Sequence, residues 1–300
     1  MKSMSETMTF FGSGPVAAKA LALLAKDFEV EAVITKPVPE GHRGEFPVLT
    51  LAEKLGLKTF TPSNKQQLSE LFTTKPVKSR VGIVIDYGII ISKDVIDYFS
   101  LGIVNSHFSL LPHWRGADPI SFSVLEGDSK TGVSLMLIDE HLDTGRLITQ
   151  KTLHIKPDAT TPSLTEELIA LSHDLLVEYL PKYVDGTVKP HLQPHPDRAT
   201  YSRKLTKEDG AIEWDKPAEV IEREIRAFAG WPKSRAVLGD TEIIITAAHV
   251  VQQSGKAGIF KAQGKELIAY CGKDALSIDL LKPAGKNEMP AEAFLAGYKV

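Results

Sequence analysis

Apolar residues in the first half of this chain fall into short runs separated by stretches with helical spacing. Met8-Thr9-Phe10-Phe11 and Val30 to Ile34 are apolar runs of strand length. Val81-Gly82-Ile83-Val84-Ile85 is nearly continuous, as expected of a strand covered on both faces. Ile103-Val104 and Val133 to Ile138 have the same character. Between them, Ala17 to Ala25 is rich in Ala and Leu and reads as a helix, with Pro15 suited to its first turn. Leu49 to Leu55 reads as a second helix with Thr50 as a candidate cap, and Asp118 to Leu125 as a third. Strands alternating with helices predict an α/β fold with an open, mostly parallel sheet. The longer amphipathic stretch Leu164 to Tyr183 closes this domain.

Beyond it the texture changes. Lys189-Pro190-His191-Leu192-Gln193-Pro194-His195-Pro196-Asp197 carries three prolines among polar residues and reads as a solvated inter-domain linker. A helix from Ala218 to Phe228 then precedes short strands at Glu242 to Val251, Ala257 to Lys261, Glu266 to Cys271 and Ala275 to Leu281. Short strands with Gly turns suggest a small β-barrel.

Composition narrows the class. The 300 residues suffice for one large or two ordinary domains, and 43% hydrophobic with 24% charged content is that of a globular protein. No apolar run is long enough to span a bilayer, and the first residues lack a secretory apolar region, so a cytoplasmic protein without membrane contact is expected. A net charge of −3 argues against bulk nucleic-acid binding but leaves room for a local patch. Any nucleic-acid partner must then be held by specific positions. The single cysteine, Cys271, excludes an internal disulfide and a multi-Cys zinc site, and reads as a core residue. His-Glu-x-x-His spacing does not occur, so no metal is expected.

The chemistry concentrates in Asn105-Ser106-His107-Phe108-Ser109-Leu110-Leu111-Pro112, directly after a predicted strand. Alternation along that strand puts Asn105 and His107 on one face. Sites in open α/β sheets form outside the carboxyl ends of strands. His107 suits proton transfer, and the Asn105 amide can donate to an oxyanion without changing charge. One helix and one strand later comes Asp139-Glu140-His141-Leu142-Asp143-Thr144-Gly145. Its Asp143 can reach His107, hold the imidazole and favour its charged form. An amide, an imidazole and a carboxylate meeting there make an acyl-transfer site. Gly12-Ser13-Gly14 begins a dinucleotide fingerprint, but position 17 is Ala, and a tight turn is the simpler reading. Trp114-Arg115 either binds substrate or wedges its loop.

Taken with Trp114-Arg115-Gly116-Ala117, Leu142-Asp143-Thr144-Gly145 and Asp86-Tyr87-Gly88-Ile89-Ile90, this run resembles the formyltetrahydrofolate-dependent formyltransferases. The resemblance implies a Rossmann-like N-terminal domain over 1–188 with Asn105, His107 and Asp143 as the catalytic trio. It also implies 10-formyltetrahydrofolate as co-substrate, held by Tyr87, Gly88, Ile89, Ile90, Ser109, Leu110, Leu111, Pro112, Leu137 and Asp139.

Lys204 to Trp214, Ile225-Arg226-Ala227-Phe228, Gly230-Trp231-Pro232, Leu281 to Met289 and Glu292 to Gly297 resemble the C-terminal domain of members that act on methionyl-tRNA. That implies a linker over 189–205 and a tRNA-binding, OB-like β-barrel over 206–300. It further implies initiator methionyl-tRNA as partner, contacted by Arg43, Arg203, Lys204 and Lys286, and a monomer. Sugar-nucleotide N-formyltransferases carry a related domain and form the alternative, with a non-catalytic folate-binding module behind them. Two departures stand out. The loop Glu40 to Pro47 is shortened, with Glu45 near where lysine is expected, and residue 86 is Asp where a small residue is usual.

Overall fold

The structure is a computed structural model that describes residues 7–41 and 44–300. The chain begins β1 (Thr7–Phe11), α1 (Pro15–Asp27), β2 (Glu29–Ile34), α2 (Pro47–Lys54) and β3 (Lys58–Phe60). It continues α3 (Lys65–Thr73), β4 (Val81–Val84), α4 (Lys93–Tyr98), β5 (Ile103–His107) and the short β6 (Arg115–Gly116). Next come α5 (Pro119–Leu125), β7 (Lys130–Leu137), β8 (Leu147–His154), α6 (Thr161–Val184) and β9 (Tyr201–Ser202). The remainder is α7 (Ala218–Ala227), β10 (Ser234–Leu238), β11 (Thr241–Val251), β12 (Phe260–Gln263), β13 (Glu266–Tyr270), β14 (Ala275–Pro283), β15 (Met289–Pro290) and α8 (Ala291–Gly297).

Contacts divide the chain into two compact units. Of the described residues, one comprises 7–41, 44–116, 131–154 and 165–201, and the other 117–130, 155–164 and 202–300. Residues 117–130 and 155–164 thus pack with the second half of the sequence, although the domain boundaries drawn from sequence put them in the first. The cause is visible in α5, which packs against α7, while Arg223 Nε donates to the Leu125 carbonyl and Arg226 Nη1 to that of Ala159.

The first unit holds a seven-stranded sheet in the order β3-β2-β1-β4-β5-β7-β8. Pairs β2–β3, β1–β2, β1–β4 and β4–β5 are parallel, and β7 runs antiparallel to β5. The order reverses between β1 and β4, which opens a crevice at the carboxyl ends of the central strands. Every residue of β4 is buried, as its continuous apolar run requires. Phe11 anchors the core, stacked on Phe72 at 6.1 Å and edge-on to Tyr87 at 5.7 Å and Phe99 at 5.9 Å. After β1, Gly12 donates its amide to Ile34 and Ser13 donates to Asp86. A side chain at Gly12 would come within 2.6 Å of Ala17 Cβ, so close approach of α1 explains the turn. Helix α2 begins at Pro47 with Phe46 as its cap, so Thr50 lies inside the helix and does not cap it.

The second unit is an antiparallel sheet in the order β10-β11-β14-β13-β12, with β15 paired to β14, where the sequence suggested a small barrel. The β12 strand spans Phe260–Gln263, displaced toward the C-terminus from the expected Ala257 to Lys261. Helix α7 buries Ala218, Ile221 and Ile225, at the spacing of one helical face, in a core with Leu276, Ile278 and Phe294. Cys271 is a buried free thiol in that core, and burial pushes its pKa up to about 11. Among the described residues, no helix is long and apolar enough to cross a membrane.

Candidate active site

The end of β5 presents alternate residues to opposite faces. Ser106 shares a hydrogen bond of 2.6 Å with Ser172 on α6. Asn105 and His107 take the other face, where the loop between β7 and β8 delivers Asp143. Asp143 Oδ1 lies 3.5 Å from Asn105 Nδ2, and its Oδ2 lies 3.8 Å from His107 Nδ1. The amide of Gly116 donates to Oδ2 at 2.7 Å. The structure therefore brings the three residues together, with the His107 side chain 6% exposed and that of Asp143 13% exposed. His107 Nε2 lies 2.9 Å from the Trp114 carbonyl. A carbonyl only accepts, so Nε2 carries a proton, and Nδ1 is the nitrogen turned toward Asp143.

Several bonds fix this arrangement. Asp143 sits in the left-handed region at φ 51°. At Gly145 any side chain would collide with the Leu137 carbonyl, so only glycine lets the loop close on β7. Asp139 accepts from the Thr144 hydroxyl at 2.8 and 3.0 Å and from the His141 amide at 3.0 Å, a local turn that shapes the same loop. On the β5 side, Ser134 Oγ donates to Ser109 O at 2.6 Å and accepts from Leu111 N at 3.0 Å. Gln150 Nε2 adds bonds to Ser134 Oγ at 2.7 Å and to Leu111 O at 2.8 Å.

The stretch read as a solvated linker is in part an internal strap of this unit. His191 and Leu147 exchange both backbone hydrogen bonds, and Gln193 is buried. The Gln193 amide donates to the carbonyls of Asp143 at 2.7 Å and Gly145 at 3.0 Å, while its oxygen accepts from Arg115 Nη2 at 2.7 Å. Trp114 and Arg115 are buried too, as expected of residues that wedge their loop. Thr200 Oγ1 completes the brace by accepting from the Trp114 amide at 2.9 Å. Sequence reasoning passed over Ser134, Gln150, Gln193 and Thr200. Only an unusually polar residue at a position of core periodicity signals such a group, and Ser134 within Val133 to Ile138 is the one case.

The residues expected around a folate divide into two groups. Gly88 and Ile90 are exposed, Ile89, Leu110, Pro112 and Leu137 are half-buried, and Asp139 is exposed. Ser109, Leu111 and Tyr87 are buried, with Leu111 packed among Met136 and Leu147. The Tyr87 hydroxyl has no hydrogen-bond partner among the described residues, and burial pushes its pKa far above the ordinary phenol value. Ile89, Ile91 and Ile138 pack against one buried cluster, which brings the loops after β4 and β7 to the same part of the sheet. Each loop carries an exposed aliphatic side chain, Ile90 (74%) and Leu142 (61%).

Of the cations expected to meet a tRNA, Arg43 lies outside the described residues. Lys204 and Lys286 are exposed residues of the second unit. Arg203, in the same unit, forks onto Asp209, with Nη1 2.7 Å from Oδ2 and Nη2 on Oδ1. That guanidinium, the largest influence, holds the Asp209 carboxyl well below the usual carboxylate range.

Residues 24–180 match the family model described as formyl transferase, and residues 204–299 match the one described as formyl transferase, C-terminal domain. A methionyl-tRNA formyltransferase of Roseiflexus castenholzii is 35% identical over 306 residues, covering 99% of this chain and 97% of its own. Among solved structures, HypX from Aquifex aeolicus superposes with a TM-score of 0.68 at 16% identity. The match covers 99% of this chain, which spans only 49% of that protein. An N-formyltransferase from Helicobacter canadensis, in complex with folinic acid and dTDP-3-aminofucose, gives 0.67 at 19% identity, covering 92% of this chain and 99% of that one. At such identities the two structures show a shared fold.

Proposed function

The chain belongs to the formyl transferase family in both its halves, and we propose on that basis that it formylates the free amine of methionine on initiator methionyl-tRNA, using 10-formyltetrahydrofolate as donor. The observation that carries the chemistry is the convergence of Asn105, His107 and Asp143 on one face of the sheet, with Nδ1 of His107 turned to the carboxylate. The tRNA acceptor rests on the similarity to named relatives, which runs through the C-terminal half.

The amine nitrogen attacks the formyl carbon, a C–N bond forms, and the formyl oxygen becomes an oxyanion. The Asn105 amide donates to that oxygen, a contact worth most where charge develops. His107 stays anchored to Trp114 through Nε2 and uses Nδ1 to carry the proton between amine and leaving nitrogen. Asp143 orients that imidazole and stabilises its charged form while Nδ1 holds the proton. Collapse of the intermediate breaks the bond from carbon to the folate nitrogen, which leaves protonated as tetrahydrofolate. Holding both substrates in register supplies much of the acceleration.

The loops after β4 and β7 suit the folate. Ile90 and Leu142 offer apolar surface for a planar ring, and the loop after β4 also carries the Tyr87 hydroxyl, buried and without a hydrogen-bond partner among the described residues. All three reacting groups come from one chain, which suits a monomer, and the substrates place its work in the cytoplasm. The test is formylation by the purified chain with 10-formyltetrahydrofolate and either charged initiator tRNA or an amino-sugar nucleotide. The expected result is turnover on the tRNA alone. Turnover on the sugar alone would replace this reading with the sugar-nucleotide one.

A further inference from the structure

We propose that Gln193 is a positioning residue for Asp143, an inference that rests on the role given to that carboxylate above. Asp143 sits on a nine-residue connection between β7 and β8, residues 138–146, with its backbone left-handed at φ 51°. A non-glycine residue in that region is strained and persists only where its surroundings over-determine it. Gln193 is one such determinant. One amide nitrogen donates to two carbonyls of the loop, those of Asp143 itself at 2.7 Å and Gly145 at 3.0 Å. Both hydrogens of the amide are thereby used on backbone flanking the carboxylate.

The opposite end of the same side chain sets the direction of the clamp. Its oxygen accepts from Arg115 at 2.7 Å, and the next residue, Gly116, donates its amide to Asp143 Oδ2 at 2.7 Å. Gln193, Arg115, Gly116 and Asp143 therefore close a ring of bonds in which Asp143 is held through its backbone carbonyl by Gln193 and through its carboxylate by the Gly116 amide. Trp114, which precedes Arg115, holds His107 through its carbonyl. Acid and base are thus referenced to one three-residue segment, and Gln193 couples the loop of one to the anchor of the other. The strap that carries Gln193 is fixed beside this ring by the two His191–Leu147 backbone bonds and by Arg146 Nε on the Pro190 carbonyl at 3.0 Å. At 7% exposure Gln193 is sheltered from competing water.

Two substitutions and one cycle test this on the full chain. Gln193→Met keeps the length and removes all three bonds. Gln193→Glu keeps the acceptor toward Arg115 but sets an oxygen against two carbonyls, and it preserves the test if the methionine variant fails to fold. Each should lower kcat on methionyl-tRNA by about 10–100-fold, the cost of a misplacement near 1 Å. KM for both substrates should stay within roughly threefold, since ground-state contacts are untouched. Made in an Asp143→Asn background, the same changes should cost little more, because residues acting through one another are not additive. The amide of Gly116 should exchange with solvent faster in both variants, a readout that needs no substrate. Losses that multiply in the cycle, or an unchanged Gly116 exchange rate, would overturn the inference while leaving the proposed function intact. Wild-type kcat in Asp143→Asn would overturn both.

Discussion

Replacing His107 with alanine separates chemistry from stability. The imidazole is buried and makes one hydrogen bond, from Nε2 to the Trp114 carbonyl at 2.9 Å. Its removal deprives that carbonyl of a donor, worth about 1–3 kcal/mol. Domains are typically stable by about 5–15 kcal/mol, so even the least stable case leaves well over nine-tenths of the molecules folded. Unfolding alone then lowers activity by only a few per cent. Loss of a general acid–base group lowers kcat by about 10²–10⁴-fold, or roughly 3–5 kcal/mol of barrier. The two effects differ by orders of magnitude, so a steady-state assay on folded enzyme distinguishes them. Folded fraction is checked by circular dichroism and thermal melting, and formyl transfer from 10-formyltetrahydrofolate to charged tRNA is followed at saturating concentrations of both substrates. A folded His107→Ala enzyme that keeps more than a tenth of wild-type kcat refutes the assignment of proton transfer to Nδ1.

Asp143→Asn should lower kcat by about 10²-fold or more with little change in folate KM, because the amide keeps the volume but neither charge nor basicity; steady-state kinetics with each substrate varied decides. Gly145→Ala should cost about 1–3 kcal/mol in a urea melt and lower kcat as well, since its methyl group collides with the Leu137 carbonyl and displaces the Asp143 loop. Tyr87→Phe should leave the free protein as stable or more so, because the lost hydroxyl has no partner; a raised folate KM in the same variant would put that hydroxyl on the substrate. Arg203→Ala removes the guanidinium that depresses the Asp209 carboxyl. The stability this pair adds is present above the ordinary carboxylate pKa of about 4 and fades as pH falls through the depressed value, so the wild-type advantage in urea midpoint should shrink on acidification. A difference that stays constant or grows in acid contradicts the pairing.

How much of this was legible in sequence follows from the range of each signal. Strands β1, β2, β4 and β7 announce themselves because a strand buried on both faces is a run of apolar residues, and that run is local. The i, i+2 relation of Asn105 and His107 is local as well, which is why their shared face was predictable. Strand β8 escaped notice because it lies at the sheet edge and is largely polar beyond Ile148, with exposed Lys151, Thr152 and His154. Helix α3 escaped because its buried residues, Leu68 and Phe72, are sparse in a polar stretch, although Asn64 caps it through a bond from the Gln67 amide. Gln193, the buried residue of an otherwise largely exposed Pro-rich segment, was missed for a different reason. Three prolines say correctly that the segment forms neither helix nor interior strand. They carry no information about whether an extended segment is solvated or pressed against a loop 48–50 residues away. Two of the three partners of Gln193 are backbone carbonyls, which every residue has, so nothing in the sequence of the Asp143 loop marks them. A contact to backbone leaves no trace in the pattern of residue types, and the support of Asp143 and His107 is built largely from such contacts: Gln193 on two carbonyls, the Gly116 amide on the carboxylate, and Trp114's carbonyl on His107. The reacting groups could therefore be named from their residue types, whereas the geometry that makes them reactive had to be seen.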